Sequence, residues 1–217
     1  MKEYKLAIFD MDGTILNTIE DLNNATNYAL RKNGLREITV EEECQIVGNG
    51  LFNTAKRSTP EGTDEATINA VFEDLAAYYK EHNEDCTRPY DGIVDVIKKI
   101  KTAGIKTAVV SNKADYAVQI LAKKYFPDCF DKAMGETEGF ALKPERDMVD
   151  EILRCLDTDR EDSVYIGDSN VDLLTAQNSE MDCIAVSWGF RGREQLKEYG
   201  AKIIIDRPEE LLGFFIK

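Results

Sequence analysis

Residues 6–16 read LAIFDMDGTIL, and the rest of the chain is organised around this stretch. Four apolar residues in a row predict a short strand that is buried on both faces, as in a parallel sheet covered by helices. Asp10 and Asp12 follow, and Gly13 permits a bend at the carboxyl end of the strand, where α/β sheets bind ligands. Two crowded carboxylates repel each other, and a hard cation such as Mg²⁺ would relieve that repulsion. An ordinary Asp-rich turn would use the same residues, so the downstream motifs must decide.

The composition is that of a soluble globular protein, with 217 residues, 43% of them hydrophobic and 31% charged. No apolar run is long enough to span a membrane and no signal peptide precedes the first strand, so we expect a cytoplasmic protein without a membrane partner. The five scattered cysteines favour packing thiols over a zinc site or disulfides. A formal net charge of −14 argues against nucleic acid and anionic lipid as partners. A small anionic substrate could bind only where a metal ion, lysine side chains and backbone amides make the local electrostatic potential positive.

Residues 17–86 carry helical patterns only. The spacings of Thr18–Asp21 and Thr39–Glu42 are those of capping boxes, and apolar residues recur behind them at helical intervals. We therefore expect a small all-helical cap domain at 17–86, inserted into a core domain formed by residues 1–16 and 87–217.

From residue 87 onward, predicted strands alternate with helices. The strands are expected at 106–110, 133–134, 163–166, 183–186 and 203–205. Such alternation predicts βαβ units and hence a parallel sheet with helices on both faces. The fold class is therefore expected to be α/β, a doubly wound parallel sheet with an inserted all-helical cap.

Polar residues follow the predicted strands or begin the next helix. Since the carboxyl ends of parallel strands lie on one edge of the sheet, we expect five such residues to meet there: Asp10, Asp12, Ser111, Lys143 and Asp168. These residue types suit phosphoryl transfer. One carboxylate can attack phosphorus, a second can transfer protons and a third can bind Mg²⁺. A hydroxyl and a cation can hold the phosphoryl oxygens. Asp172 could orient Lys143 or a metal-bound water.

The motifs resemble those of the haloacid dehalogenase superfamily of phosphatases. The first reads Asp10-Met11-Asp12-Gly13-Thr14, the second Ser111-Asn112, the third Lys143-Pro144 and the fourth Gly167-Asp168-Ser169-Asn170-Val171-Asp172. The resemblance covers essentially the whole chain, because the helical insertion matches the small cap of that family. It implies an aspartyl-phosphate formed on Asp10 and an acid/base role for Asp12. It also implies that Mg²⁺ is held by Asp10, the main-chain carbonyl of Asp12 and Asp168.

The same resemblance implies that Ser111, Asn112 and Lys143 bind phosphate, and that Thr14 and Asp172 support the groups around them. Residues 47–50, 187–189 and 201–208 resemble the phosphoglycolate phosphatase subgroup, which implies a small phosphorylated metabolite such as 2-phosphoglycolate as the substrate. In the cap, three polar residues are candidate substrate contacts, although an interhelical turn and solvated charges explain them as well: Asn49, Lys56 and Arg57.

Several functions remain open at this point. A pyrophosphatase, a 5'-nucleotidase, a sugar-phosphate phosphatase or a phosphoglucomutase of the same superfamily would share the core chemistry. A vestigial phosphate-binding interaction protein is a candidate from another class, disfavoured because no motif carboxylate is missing. The sequence is compatible with a monomer or a homodimer.

Overall fold

The computed structural model describes residues 3–216 of the chain. These residues form two compact units: a core containing the described residues up to 17 and from 89, and a cap containing residues 18–88. No helix within the described residues is both long and apolar enough to cross a membrane.

The elements up to the end of the cap are β1 (Leu6–Phe9), β2 (Leu16–Asn17), α1 (Ile19–Lys32), α2 (Val40–Ile46), α3 (Leu51–Ser58) and α4 (Glu65–His82). They are followed by β3 (Arg88–Pro89), α5 (Ile93–Thr102), β4 (Lys106–Ala114), α6 (Asp115–Tyr125), β5 (Lys132–Glu136) and α7 (Asp147–Cys155). The chain ends with β6 (Ser163–Gly167), α8 (Asn170–Asn178), β7 (Asp182–Val186), α9 (Gly192–Glu198), β8 (Ile204–Ile205) and α10 (Leu212–Phe215). Single 3₁₀ turns occupy Arg160–Asp162 and Pro208–Leu211.

The core is built on a six-stranded sheet in the order β5-β4-β1-β6-β7-β8, with parallel pairing throughout. The predicted doubly wound α/β fold is thus confirmed. Strand β1 lies in the middle, and Phe9 at its end is in register with Val109 of β4 on one side and Ile166 of β6 on the other. Because the chain continues to opposite sides of β1, the carboxyl end of that strand is the switch point where such sheets form crevices.

Strand β1 is buried on both faces, as its uninterrupted apolar sequence predicts. Leu6 and Ile8 belong to one apolar cluster and Ala7 and Phe9 to another, and all four side chains are fully buried. Successive side chains of a strand point to opposite faces, so both faces of the sheet are covered at this position. The first loop therefore starts from a rigid base.

Strand β4 departs from regular pairing at its carboxyl end. Val110 is in register with Met134 of β5 and Ala114 with Glu136, so β4 uses four steps where β5 uses two. This bulge moves residues 111–113 off the regular ladder. The strand also extends to Ala114, beyond the 106–110 expected from its apolar residues. The sequence did not predict this extension, because the polar residues in the bulge lack the pattern typical of a strand.

The cap packs its helices around an apolar cluster of Ala29, Leu30, Ile38, Ala55, Val71 and Leu75. The capping box predicted at Thr39 and Glu42 is confirmed, with both hydrogen bonds formed. The box predicted at Thr18 and Asp21 is wrong, since the Thr18 hydroxyl makes no capping bond. The Asp21 carboxylate instead accepts hydrogen bonds from the main-chain N–H groups of Cys86 and Thr87 and from the Thr87 hydroxyl. Three charge-assisted bonds stabilise Asp21 more than one local contact would.

Candidate active site

The first loop turns sharply at the end of β1. Asp10 is only 7% exposed, and its Oδ1 accepts a hydrogen bond of 2.7 Å from the main-chain N–H of Met11. Gly13 adopts a φ of 81°, which closes the turn at no steric cost. Within residues 3–216 no hydrogen bond uses the Asp12 carbonyl as acceptor. The loop therefore fixes one carboxylate and presents one main-chain carbonyl.

Lys143 connects the first and fourth motifs. Its Nζ lies 2.8 Å from Oδ1 of Asp10 and 2.8 Å from Oδ1 of Asp172. Burial works against the charged form, but the Asp10 and Asp172 carboxylates outweigh it and raise the pKa of Lys143. The ring centroid of Tyr165 lies 5.7 Å from the ammonium, and the Tyr165 hydroxyl donates to the Val110 carbonyl. Lys143 is therefore a cation held in one place.

The second motif positions Lys143 through its main chain. The Asn112 amide donates to the Lys143 carbonyl at 2.9 Å and accepts from the Lys143 N–H at 2.8 Å. The sequence suggested that Asn112 binds phosphate. In the structure the Asn112 side chain also holds the main chain of the loop that carries Lys143. Ser111 is 1% exposed, and its hydroxyl accepts from the N–H of Lys113. A hydroxyl that accepts can still donate its own proton to a phosphoryl oxygen.

Asp168 lies behind the first loop, held from two sides. Its Oδ1 accepts from the Thr14 hydroxyl at 3.3 Å and its Oδ2 from the Phe190 N–H at 2.7 Å. Burial, followed by the Asp172 and Asp10 carboxylates, raises the pKa of Asp168 well above its ordinary value. The Thr14 hydroxyl thus joins the first loop to a carboxylate from a distant part of the chain.

The segment after β7 supplies the packing around Asp168. The Trp188 indole N–H donates to the Thr14 carbonyl at 3.0 Å. A Cβ on Gly189 would lie 2.3 Å from the Asp168 Cβ and 2.3 Å from the Gly13 carbonyl oxygen. This segment therefore holds the first loop and Asp168 at a fixed spacing.

Three carboxylates form a cluster with the composition of a hard-cation site. Asp10, Asp168 and Asp172 each offer an oxygen within 4.8 Å of the others, and all three are buried. The Lys143 ammonium contacts two of them, Asp10 and Asp172, and the Arg191 charge acts on Asp168, so negative charge is in excess within the cluster. Burial and the neighbouring Asp172 carboxylate raise the pKa of Asp10, which reports the same excess. A divalent cation with a preference for oxygen ligands fits both the charge and the donor set.

Asp12 is paired with a lysine that the sequence analysis did not single out. The Lys113 Nζ lies 2.8 Å from Oδ1 and 3.0 Å from Oδ2 of Asp12, and the Lys113 side chain is only 3% exposed. The available signal was a lysine directly after Ser111-Asn112, which is weak because most lysines are solvated.

The structure brings the predicted core residues together: Asp10, Asp12, Thr14, Ser111, Asn112, Lys143, Asp168 and Asp172 are joined by the contacts above. The three cap candidates lie in the other unit. There Arg57 donates to the Ile46 carbonyl at 3.2 Å and lines a cavity of about 400 Å³ within the cap, while Lys56 is exposed. The Asn49 carbonyl accepts from Asn53.

Comparison with known proteins identifies relatives along nearly the whole chain. A family model described as haloacid dehalogenase-like hydrolase matches residues 7–186. A phosphoglycolate phosphatase of Agrobacterium fabrum is 31% identical over 193 residues, covering 85% of this chain and 81% of the relative. The pyrophosphatase PpaX of Bacillus thuringiensis is 24% identical, covering 94% and 93%. A crystal structure from Lactobacillus delbrueckii, described as a candidate phosphoglycolate phosphatase, superposes with a TM-score of 0.94 at 40% identity, covering 99% and 100%.

Proposed function

The chain belongs to the haloacid dehalogenase-like hydrolases and is a phosphatase of that family, and from this premise we propose that it hydrolyses a small phosphomonoester with the aid of Mg²⁺ through an aspartyl-phosphate. The observation that carries the proposal is the buried cluster of Asp10, Asp168 and Asp172 around Lys143 at the carboxyl edge of the sheet.

Asp10 is the proposed nucleophile. Its Oδ1 is engaged by Met11 and Lys143, whereas within residues 3–216 no hydrogen bond is made by Oδ2. In the first step Oδ2 attacks phosphorus, the bond from phosphorus to the leaving oxygen breaks, and the carboxyl of Asp12 gives its proton to that oxygen. The organic alcohol leaves and the phosphoryl group stays on Asp10.

The second step returns the enzyme to its starting state. Asp12, now a carboxylate, takes a proton from the attacking water as the new oxygen–phosphorus bond forms. The bond between phosphorus and Asp10 breaks, inorganic phosphate is released and Asp12 is again protonated. Ser111 and Lys143 hold phosphoryl oxygens during both steps as a hydroxyl donor and a fixed cation.

The metal is assigned to Asp10, Asp168 and the Asp12 carbonyl, with Asp172 holding Lys143 in place beside it. Mg²⁺ would neutralise charge on the phosphoryl oxygens and on the crowded carboxylates. Support for the set comes from the cluster of buried carboxylates and from the Asp12 carbonyl, which accepts no hydrogen bond within the described residues.

The proposed substrate is 2-phosphoglycolate or a similar small phosphomonoester. The relatives from Agrobacterium and Lactobacillus support this choice by their names. Inorganic pyrophosphate is a second candidate, favoured by the Bacillus relative, which covers more of the chain at lower identity. Asn49, Lys56 and Arg57 of the cap are candidate contacts for the part of the substrate that differs between the two.

The test is turnover by the pure chain with Mg²⁺, comparing kcat/KM for 2-phosphoglycolate, pyrophosphate and p-nitrophenyl phosphate. Asp10→Asn should lower kcat at least about 10³-fold and abolish the phosphoprotein that acid quenching traps from labelled substrate. Asp159→Asn, an exposed aspartate before β6 at the opposite edge of the sheet, is the matched control and should keep both. Absence of wild-type turnover would overturn the function, and an active Asp10→Asn variant would overturn the covalent mechanism.

A further inference from the structure

Lys113 is the one lysine besides Lys143 whose side chain is buried at the carboxyl edge of the sheet within the described residues. Lysine side chains are strongly hydrated, and burying one is unfavourable unless a carboxylate compensates it. Here the compensating group is Asp12, whose carboxyl is 15% exposed while the lysine is 3% exposed. The ion pair is therefore covered from the lysine side and open on the aspartate side.

The main chain fixes the position of Lys113. Its N–H donates to the Ser111 hydroxyl at 3.3 Å within the β4 bulge. On the other side, strand β5 approaches so closely that a Cβ on Gly135 would lie 2.5 Å from the Lys113 carbonyl oxygen. A lysine held at both main-chain groups presents its ammonium from a defined direction, unlike a lysine on a solvated helix face.

Both carboxylate oxygens of Asp12 lie within hydrogen-bond distance of the same ammonium, at 2.8 and 3.0 Å. A proton can occupy either oxygen while Lys113 continues to hold the other. The pair therefore restricts the rotation of the Asp12 carboxyl in both of the protonation states that the two-step reaction requires.

We propose that Lys113 is a positioning residue that holds the Asp12 carboxyl in the orientation from which it protonates the leaving oxygen. The inference rests on the proposed function, because it assigns Asp12 the acid/base role. It goes beyond that function by naming the group outside the four motif positions on which the acid/base depends.

The experiment uses the dependence of kcat/KM on the leaving group, because kcat/KM covers substrate binding and phosphoryl transfer to Asp10 but not the later hydrolysis of the phospho-enzyme. p-Nitrophenolate leaves as a stable anion and gains little from an acid, whereas an alkoxide needs a proton. Lys113→Met should therefore lower kcat/KM about 10²-fold for 2-phosphoglycolate and for 2-hydroxyethyl phosphate, and less than about 5-fold for p-nitrophenyl phosphate. Lys113→Arg, which keeps a cation able to bind a carboxylate at two points, should restore most of the loss.

Two controls separate positioning from folding. Lys123→Met removes an exposed lysine on α6 and should leave all three substrates unaffected. Asp12→Asn should show the same leaving-group dependence. Adding Lys113→Met to Asp12→Asn should lower kcat/KM no further, because Lys113 acts only through the Asp12 carboxyl. Thermal unfolding followed by circular dichroism shows whether each variant is folded, and Lys113→Gln provides a neutral alternative should the methionine variant unfold.

The outcomes distinguish the inference from the function on which it rests. An equal loss on all three substrates would make Lys113 a structural residue and overturn the proposal. A loss confined to 2-phosphoglycolate would show that Lys113 recognises the substrate carboxylate, which also overturns it. If the wild type is active but the loss in Asp12→Asn does not depend on the leaving group, Asp12 is not the acid/base. That outcome would overturn the inference together with the acid/base role.

Discussion

Gly189 and Asp168 lie so close together that a Cβ on the glycine would come within 2.3 Å of the aspartate Cβ. The two residues belong to loops that follow neighbouring strands, β7 and β6. Phe190, next to the glycine, donates its N–H to Oδ2 of Asp168. The main chain after β7 is thus part of the structure that determines where the Asp168 carboxylate, one of the proposed metal ligands, can lie.

Gly189→Ala should displace Asp168 from the other two carboxylates, since the new methyl group has no space between Asp168 and the Gly13 carbonyl. We expect the Mg²⁺ concentration for half-maximal activity to rise about 10- to 100-fold, as for other substitutions behind a metal ligand. Gly213→Ala in α10 is the matched control, because a Cβ there meets no atom within 4 Å. Unchanged Mg²⁺ dependence in Gly189→Ala would contradict the role assigned to this close packing.

Divalent cations should stabilise the folded chain even without substrate. Three buried carboxylates lie together with one ammonium that contacts two of them, and a cation bound there favours the folded state by about 2.7 kcal/mol at 100 times its Kd. We expect Tm to rise by several degrees with Mg²⁺, while NaCl at equal ionic strength has little effect. Asp168→Asn should lose most of the Mg²⁺-dependent rise. An identical rise in that variant would place the cation elsewhere.

Asn112→Ala should loosen the loop that carries Lys143. Two hydrogen bonds to the Lys143 main chain are lost in a buried place, so we expect a loss of about 2 kcal/mol in unfolding free energy, together with weaker phosphate binding. Asn178→Ala removes one exposed hydrogen bond to the adjacent Pro144 carbonyl and serves as the comparison. If Asn112 acted only as a phosphate donor, product inhibition by phosphate would weaken while stability stayed at the wild-type value.

Glu43 should make the stability of the cap depend on pH. Burial raises the pKa of Glu43 from 4.5 to about 7, while the Thr26 hydroxyl, which donates to Oε1, opposes the rise. The folded state then holds the proton more tightly than the unfolded chain, so stability is full below the ordinary pKa and falls as the pH approaches 7. The loss amounts to roughly 3 kcal/mol at about 1.4 kcal/mol per pH unit.

Glu43→Gln should remove this dependence. Urea unfolding of the wild type and the variant at about pH 5 and about pH 8 measures it, and the variant should gain relative to the wild type at the higher pH. Glu41→Gln, on the exposed side of the same helix, should gain nothing. A pH profile shared by the wild type and Glu43→Gln would contradict the prediction.

The sequence predicts those features of the molecule that are determined by neighbouring residues or by the geometry of a parallel sheet. An apolar run followed by polar residues is enough to predict β1 and the convergence of Asp10 and Asp168, because the carboxyl ends of parallel strands share one edge. The α9 helix was missed because its seven residues are mostly polar and lack an apolar period. The Thr18 capping box failed because the Asp21 carboxylate accepts hydrogen bonds from donors far along the chain, the N–H groups of Cys86 and Thr87.

Contacts between distant loops are the part that one sequence does not specify. The approach of Gly189 to Asp168 depends on how two strand ends are spaced, and a glycine in a loop has many other causes. Lys113 differs from the exposed lysines by its burial, which follows from the β4 bulge and from Gly135 of the adjoining strand. Neither relation leaves a periodic pattern in the sequence.

The bulge in β4 has a consequence for anyone who edits this enzyme. Strand β4 advances four residues, from Val110 to Ala114, while the neighbouring strand β5 advances two. The number of residues between Val110 and Ala114 therefore determines which side chains face the crevice. Deleting one residue there would change the register of this segment relative to β5, even with Ser111 and Asn112 still present. Variant libraries for new substrates should therefore exchange side chains in this segment and keep its length constant.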